Sequence, residues 1–265
     1  MTAATDPGRP LLLVSNDDGY QAPGVLALAA RLESVGEVWV VAPERERSAI
    51  SHAISLHKPL RLGNPAPRRY WCSGTPTDSV YIAMHHVLPR LPAMVVSGVN
   101  RGANLGDDVL YSGTVGAAME GCVMGIPSLA VSLAHPHGTD FWPASELAAR
   151  VVKRVLRTGL PKGVLLNLNV PNEYDVSRGI VPTRLGRRNY GRVVSRHLDP
   201  RGKPYYWIGG PDLGFEPVDG SDCDGIHAGR ATLSPVHLDL THEATLRQLL
   251  DADDYGAPLE EPHGS

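Results

Sequence analysis

Five stretches of this chain carry residue types able to do chemistry, and each follows or opens an ordered-looking segment. Asn16-Asp17-Asp18-Gly19 comes directly after the apolar run Leu11-Leu-Leu-Val-Ser15. Adjacent carboxylates repel each other, and a bound cation relieves the repulsion. Their oxygens are hard ligands, suited to Mg²⁺, Mn²⁺ or Ca²⁺ rather than Zn²⁺. The competing reading is a plain turn, because Asp-Gly is a common turn dipeptide. In Ala42-Pro-Glu-Arg-Glu-Arg-Ser48 the stretch Glu44 to Arg47 reads as a solvated charged loop, and Ser48 equally as a turn or helix cap. Ser97 to Asp108 is a long Gly/Asn/Asp loop, and long ordered loops tend to be functional. Within it Asn100 and Asn104 offer neutral oxygens and amide donors, and Arg101 a fork that matches phosphate. Ser112-Gly113-Thr114 opens a helix of small residues. Its hydroxyls and free N–H groups would cradle an anion, against the simpler reading of a Ser/Thr cap. Gly74-Thr75-Pro76-Thr77-Asp78 repeats that pattern before an earlier helix.

The elements that must position these residues follow from hydrophobic spacing. Residues 11–15, 37–42, 93–97, 128–133 and 164–170 read as strands, and 24–35, 76–88, 113–124 and 144–156 as helices. Residues 57–72 read as an irregular hairpin. Short apolar strands that lack polar alternation and alternate with helices indicate a parallel sheet covered on both faces. Ligands of such sheets sit beyond the carboxyl ends of the strands. All five stretches fall on that side, and an oxygen-ligated cation beside helix N-termini suits phosphate esters.

The pattern changes after Pro171. Residues 178–203 carry eight basic residues and one acid, Asp199, whereas 212–224 carry five acids and no base. With Tyr205, Tyr206 and Trp207 and many turn residues, this region reads as extended hairpins projecting from the core. Residues 232–236 read as a return strand. Thr241 is the expected N-cap of a last helix to about residue 252, and the acidic tail from Asp253 is expected to be disordered.

Composition sets the outer bounds. The chain has 265 residues and a net charge of −3, which excludes a general polyanion-coating protein. Cys72, Cys122 and Cys223 are widely spaced and form no Cys-x-x-Cys pair, which fits a reducing compartment. No apolar segment precedes the first strand and none approaches roughly 18 residues, so a soluble cytoplasmic protein is expected. A P-loop, a Gly-x-Gly-x-x-Gly fingerprint, a His-Glu-x-x-His zinc motif and a nucleophile elbow are all missing. The histidines lack zinc-ligand spacing and read as surface or structural residues.

Taken together, Val14-Ser-Asn-Asp-Asp-Gly19, Ala42 to Ser48, Ser73-Gly-Thr-Pro-Thr-Asp78, Val96 to Gly106 and Ser112-Gly-Thr-Val-Gly-Ala-Ala-Met-Glu120 resemble the SurE family of survival-protein 5′/3′-nucleotidases. Gly125-Ile-Pro-Ser-Leu-Ala130, Leu166-Asn-Leu-Asn-Val-Pro171, Arg184-Leu-Gly-Arg-Arg and Tyr205-Tyr-Trp also fit, so the likeness extends over residues 11–241. The chain departs from it at Arg230-Ala-Thr-Leu-Ser-Pro-Val-His237, where the family more usually has Gly-Tyr-Val-Ser-Ile-Thr-Pro-Leu.

The resemblance implies an α/β fold: a Rossmann-like, mostly parallel sheet with helices on both faces and a C-terminal β-hairpin arm used in oligomerisation. The expected division is a core over 1–175, the arm over 176–230, a return strand and helix over 231–252, and a tail over 253–265. It implies a divalent-metal-dependent phosphatase acting on nucleoside monophosphates, with broader acid phosphatase or exopolyphosphatase activity. One Mg²⁺ or Mn²⁺ ion, or Ca²⁺ in crystals, would be held by Asp17, Asp18, Ser48 and Asn100, and the chain would form a homodimer or homotetramer. The metal would polarise the phosphoryl oxygen, while Asn16, Asn104, Ser112, Gly113 and Thr114 held the phosphate. Asp17 and Asp18 are the expected catalytic residues, and general base and nucleophile both stay open for them. No nucleic-acid polymer and no membrane partner is expected. A receiver-like signalling module, which also pairs acids after strand one, lacks its Asp and Lys here. A phosphoaspartate phosphatase would need Asp-x-Asp. A nucleotide-binding module without turnover is the remaining alternative.

Overall fold

The structure, a computed structural model, describes residues 8–190, 194–209 and 212–251. The core elements in chain order are β1 (Leu11–Ser15), α1 (Pro23–Leu32), β2 (Glu37–Pro43), β3 (Leu62–Ala66), β4 (Arg69–Cys72), α2 (Pro76–Ile82), β5 (Met94–Arg101), α3 (Gly113–Val123), β6 (Ser128–Leu133), α4 (Trp142–Thr158) and β7 (Val164–Val170). They are followed by β8 (Val181–Pro182), β9 (Arg188–Tyr190), β10 (Val194–Leu198), β11 (Pro204–Ile208), β12 (Asp212–Phe215), α5 (Asp222–His227), β13 (Thr232–His237) and α6 (Glu243–Leu250). Strands β4, β2, β1, β5, β6 and β7 lie side by side in parallel. β3 extends one edge antiparallel, and β13 and β8 extend the other, β13 running against β7.

Every residue of β1, β2 and β6 is buried, which is why these strands read as unbroken apolar runs. Side chains of a strand alternate between faces. Leu12 and Val14 therefore meet α1 and α4 in a cluster with Leu28, Val96, Leu129 and Leu147. Leu13 points the other way, into a cluster with Val41, Val95, Val80 and Ala117 that is closed by α2 and α3. The expected sheet with helices on both faces is thus present. Because β1 has β2 on one side and β5 on the other, the chain reverses direction across the sheet there, and a crevice opens between the two departing loops.

Three local readings are corrected. β5 does not stop at Ser97: a register shift against β6 between Ser97 and Asn100 lets pairing resume at Asn100↔Ser132 and Arg101↔Leu133. An irregularity of this kind bends a strand without ending it. The helix opened by Pro76 gives way at Ile82 to a wider turn over Ala83–Val87. The last helix is capped by His242, not Thr241, and begins at Glu243.

The hairpin character after Pro171 is found in two antiparallel pairs, β10–β11 and β9–β12. Asp199 closes the first, its carboxylate accepting from the backbone N–H groups of Arg201 and Lys203 at 2.8 Å each. The acidic stretch over 212–224 is not hairpin throughout. Ser221 caps the short helix α5, whose Asp222 is fully buried and accepts from Gly186 N–H (2.7 Å), Gly106 N–H (3.0 Å) and Cys223 N–H (2.8 Å). Within residues 230–237, where the chain departs from the family pattern, Thr232–His237 still form β13. The expected tail from residue 253 lies outside the described residues. Among those described, no helix is long and apolar enough to cross a membrane.

Candidate functional site

The loops leaving β1, β2 and β5 surround a cleft of about 590 Å³, a volume typical of small-molecule sites. The first loop is a locked turn. Gly19 has φ +105°, a left-handed conformation open to glycine at little cost. Asn16 holds the turn from inside, accepting from Gly19 N–H (3.2 Å) and donating to Gly19 O (2.9 Å). Arg47 N–H donates to the Asp17 carbonyl at 2.7 Å, which ties this loop to the one after β2.

Asp17 is 4% exposed. Its carboxylate accepts from the Thr114 hydroxyl and the Thr114 backbone N–H, at the positive end of α3. Burial outweighs these donors and, aided by the charge of Asp18, pushes the Asp17 carboxyl up to about 6. Asp18 is half-buried and also sits above the usual range, chiefly through burial. The backbone N–H of Arg101 opposes that shift and the Glu46 carboxylate adds to it. Gly113 is required by this arrangement, since a Cβ on it would lie 2.8 Å from Asp17 Cβ and 2.9 Å from Asp17 Oδ2.

Ser48 and Asn100 reach the same cleft. The Ser48 hydroxyl donates to Glu46 (2.8 Å), and the Asn100 amide nitrogen donates to Gly102 O (2.8 Å). Among the described residues Asn100 Oδ1 has no partner. The loop after β5 is pinned from below by Asn104. Its N–H donates to Asn169 Oδ1 (2.9 Å), and its carbonyl accepts from Asn167 (2.8 Å) and Asn169 (3.0 Å). Its side-chain nitrogen donates to Ser132 (2.8 Å). Ser112 caps α3 by accepting from Val115 N–H at 3.1 Å.

Asp17, Asp18, Ser48, Asn100, Asn104 and Ser112 therefore line one cleft. Two of the expected phosphate contacts are placed elsewhere. The Asn16 side chain is fully buried and committed to Gly19, and Thr114 is fully buried with its hydroxyl on Asp17. Both position other groups because inward hydrogen bonds claim their polar atoms. Gly113 meets the site through its backbone. The Thr75–Asp78 segment is a capping box: Asp78 N–H reaches Thr75 Oγ1 (3.0 Å), and Thr75 N–H reaches Asp78 Oδ2 (2.8 Å). It anchors the 44–55 loop through Ser55 N–H (2.8 Å) and Ala53 O (2.7 Å) instead of cradling an anion.

Sequence reasoning missed Glu46, whose neighbours in the charged loop look no different, and Tyr111 and Phe141, which wall the cleft. It also gave no partner for His52, which contacts buried Glu120 of α3 at 2.7 Å and fastens the Ser48 loop to that helix.

The donor set fits a hard divalent cation. Two carboxylates and two neutral oxygens face one space, and a buried carboxylate with a raised pKa gains from a cation. Among the described residues no group of three or more His, Cys, Asp and Glu is disposed to hold a metal. Ser48 and Asn100 would have to complete the protein's share of the shell.

The family model for SurE, survival protein SurE, matches residues 12–192. The chain is similar to the protein named 5′-nucleotidase SurE of Geobacter sulfurreducens, 48% identical over 244 residues that cover 91% of this chain and 93% of that one. It is also similar to the protein of the same name from Myxococcus xanthus, 45% identical over 256 residues covering 96% and 97%. The crystal structure of the SurE protein from Aquifex aeolicus superposes with a TM-score of 0.81 at 38% identity, over 90% of this chain and 98% of the other. The chain belongs to the SurE family.

Proposed function

We propose that this chain is a divalent-metal-dependent 5′-nucleotidase of the cytoplasm, hydrolysing nucleoside monophosphates to nucleoside and phosphate. Acid phosphatase and exopolyphosphatase activity belong to the same reading. The observation that carries it is the pair Asp17 and Asp18 at the β1/β5 crevice, with Asp17 buried against the N-terminus of α3 and neutral oxygens opposite.

Asp17, Asp18, Ser48 and Asn100 would hold the ion. A bound Mg²⁺ or Mn²⁺ supplies counter-charge for the carboxylates and Lewis-acid polarisation of a phosphoryl oxygen. With Asp17 Oδ1 engaged by Thr114, Oδ2 is the oxygen left to act toward the cleft. The Ser112 hydroxyl hydrogen and the Gly113 amide, which has no intrahelical acceptor at the first turn of α3, would hold phosphoryl oxygens as charge develops. Asn104 would add its second amide hydrogen. Asn16 and Thr114 act one step back, by fixing the turn and the Asp17 carboxylate.

Purified protein should release phosphate from AMP and other nucleoside monophosphates, lose that activity in EDTA and regain it with Mg²⁺ or Mn²⁺. Activity indifferent to chelator, or restored by Zn²⁺ alone, would overturn the reading, and binding without release would favour a non-catalytic nucleotide module.

The proposal includes a homodimer or homotetramer built on the arm. On β11, Tyr206 and Ile208 on one face and Trp207 on the other are 58%, 91% and 65% exposed, apolar surface that a partner would cover. Light scattering at micromolar concentration should show a dimer or larger species, and Trp207→Ser with Ile208→Ser should reduce it to monomer. A wild-type monomer would refute this.

A further inference from the structure

The charge around the cleft is lopsided. Four carboxylates line it, those of Asp17, Asp18, Glu46 and Asp108, and Arg101 is the one cationic side chain among the described lining residues. A phosphate ester entering this space brings further negative charge. All four have partners: Asp17 accepts from Thr114, Asp18 from the Arg101 N–H and Glu46 from Ser48, and Asp108 faces Arg188 at 3.5 Å. Arg101 has no carboxylate within ion-pair distance among the described residues. Its main chain belongs to the acid cage, because its N–H donates to Asp18, and its charge also favours the ionised Asp18 from beyond ion-pair distance. Its side chain is exposed, with the guanidinium 5.8 Å from the centre of the Phe141 ring.

That posture has a physical reading. An arginine serving only as counter-ion to Asp18 would close on it, and this one lies on an aromatic face instead. Phe141 is 5% exposed and fixed just before α4, so it is a rigid platform. A guanidinium held over a ring by a cation–π contact spends none of its N–H donors there, and its fork matches two oxygens of one phosphate. Holding the side chain in place beforehand lowers the entropy lost when a ligand binds.

We propose that Arg101, aimed by Phe141, is the clamp that grips the phosphate of the substrate and of the inorganic product. The proposal rests on the nucleotidase reading for the substrate but not for phosphate itself, which allows the two to fail separately.

The test compares wild type, Arg101→Ala, Arg101→Lys and Phe141→Leu in three measurements: steady-state kinetics with AMP, inhibition by inorganic phosphate, and calorimetric titration with Mn²⁺ alone. For Arg101→Ala, KM for AMP and the inhibition constant for phosphate should both rise about 10- to 100-fold. Mn²⁺ binding should stay equal or tighten, because a cation beside Asp18 has been removed. Arg101→Lys, which keeps the charge but not the fork, should fall between. Phe141→Leu should raise KM less than Arg101→Ala. Values for Arg101→Ala within twofold of wild type would overturn the clamp. So would a loss of Mn²⁺ affinity as large as the loss of phosphate affinity, which would make Arg101 a structural support of Asp18. If wild type does not turn over AMP, the nucleotidase reading falls. Direct titration of Mn²⁺-loaded protein with phosphate then still decides the clamp by its dependence on Arg101.

Discussion

Asp17→Asn should lower kcat for nucleoside monophosphates by at least about a thousandfold and, in metal-free buffer near pH 8, raise the melting temperature. Asparagine keeps the volume and can still accept the Thr114 hydroxyl through Oδ1. What it loses is a charge held almost out of water. The folded-state pKa of Asp17 is about 6, raised from 3.8 mainly by burial. Between these values the folded protein keeps a proton that the unfolded chain has released. The protonated group's contribution is fully present below about pH 4 and is lost as pH rises through 6. Above that, the ionised carboxylate costs the metal-free fold on the order of 3 kcal/mol.

The variant escapes this cost, so its advantage should appear at pH 7–8 and vanish near pH 4. Mn²⁺ should raise the melting temperature of wild type and leave Asp17→Asn little changed, because ligand binding stabilises only where the site is intact. Differential scanning fluorimetry from pH 4 to 8, with and without EDTA, reads all of this beside a phosphate-release assay. Wild-type turnover in the variant would remove Asp17 from the chemistry. A fall in metal-free stability at pH 8 would return Asn16–Gly19 to a purely structural turn.

Gly113→Ala should cut turnover about a hundredfold while the protein remains folded. Alanine is the better helix former, so the first turn of α3 loses nothing locally. The new methyl group would stand 2.8 Å from Asp17 Cβ and 2.9 Å from Asp17 Oδ2, closer than carbon atoms pack. Either the helix start or the carboxylate has to shift, at about 1–3 kcal/mol of overpacking. A displacement near 1 Å at a reacting group is enough for a hundredfold loss. Circular dichroism should show native helix content, and the defect should lie in kcat and metal affinity. A variant with wild-type kcat would mean that Asp17 tolerates displacement, and that the close approach of Gly113 serves packing alone.

Much of the scaffold was legible in the residue order. Strands β1, β2, β6 and β7 came out close to their observed bounds because a parallel strand covered on both faces must be apolar along its whole length. Of the helices that cover them, α1 and α4 carry the spacing of one buried face, whereas α3, built of small residues, is buried almost all round. Asp17, Asp18, Asn100 and Asn104 were singled out by type and by position after strands, Ser112 by its place at a helix start and Ser48 by the family resemblance, and the cleft contains all six. Loops that leave the carboxyl ends of neighbouring parallel strands have little choice but to meet.

What tertiary structure alone decided depends on partners far away in the chain. β5 continues to Arg101 because β6 offers new pairing beyond the register shift, and no local signal at Gly98 announces it. Helix α5 sits in an acidic stretch that reads as hairpin. Its Asp222 carboxylate finds the Gly106 amide 116 residues away, which fixes the loop carrying Asn104. Asn16 and Thr114 have the composition of ligand-binding residues, yet their polar atoms turn inward, and only the folded backbone determines that direction. Arg101 over Phe141 is the same case turned outward, two residues 40 apart whose contact exists because β5 and the start of α4 share one rim. Residue type sets which chemistry is available at a position. The direction of a side chain, and whether its hydrogen-bonding capacity is already satisfied, is set by long-range packing that no short stretch of sequence encodes.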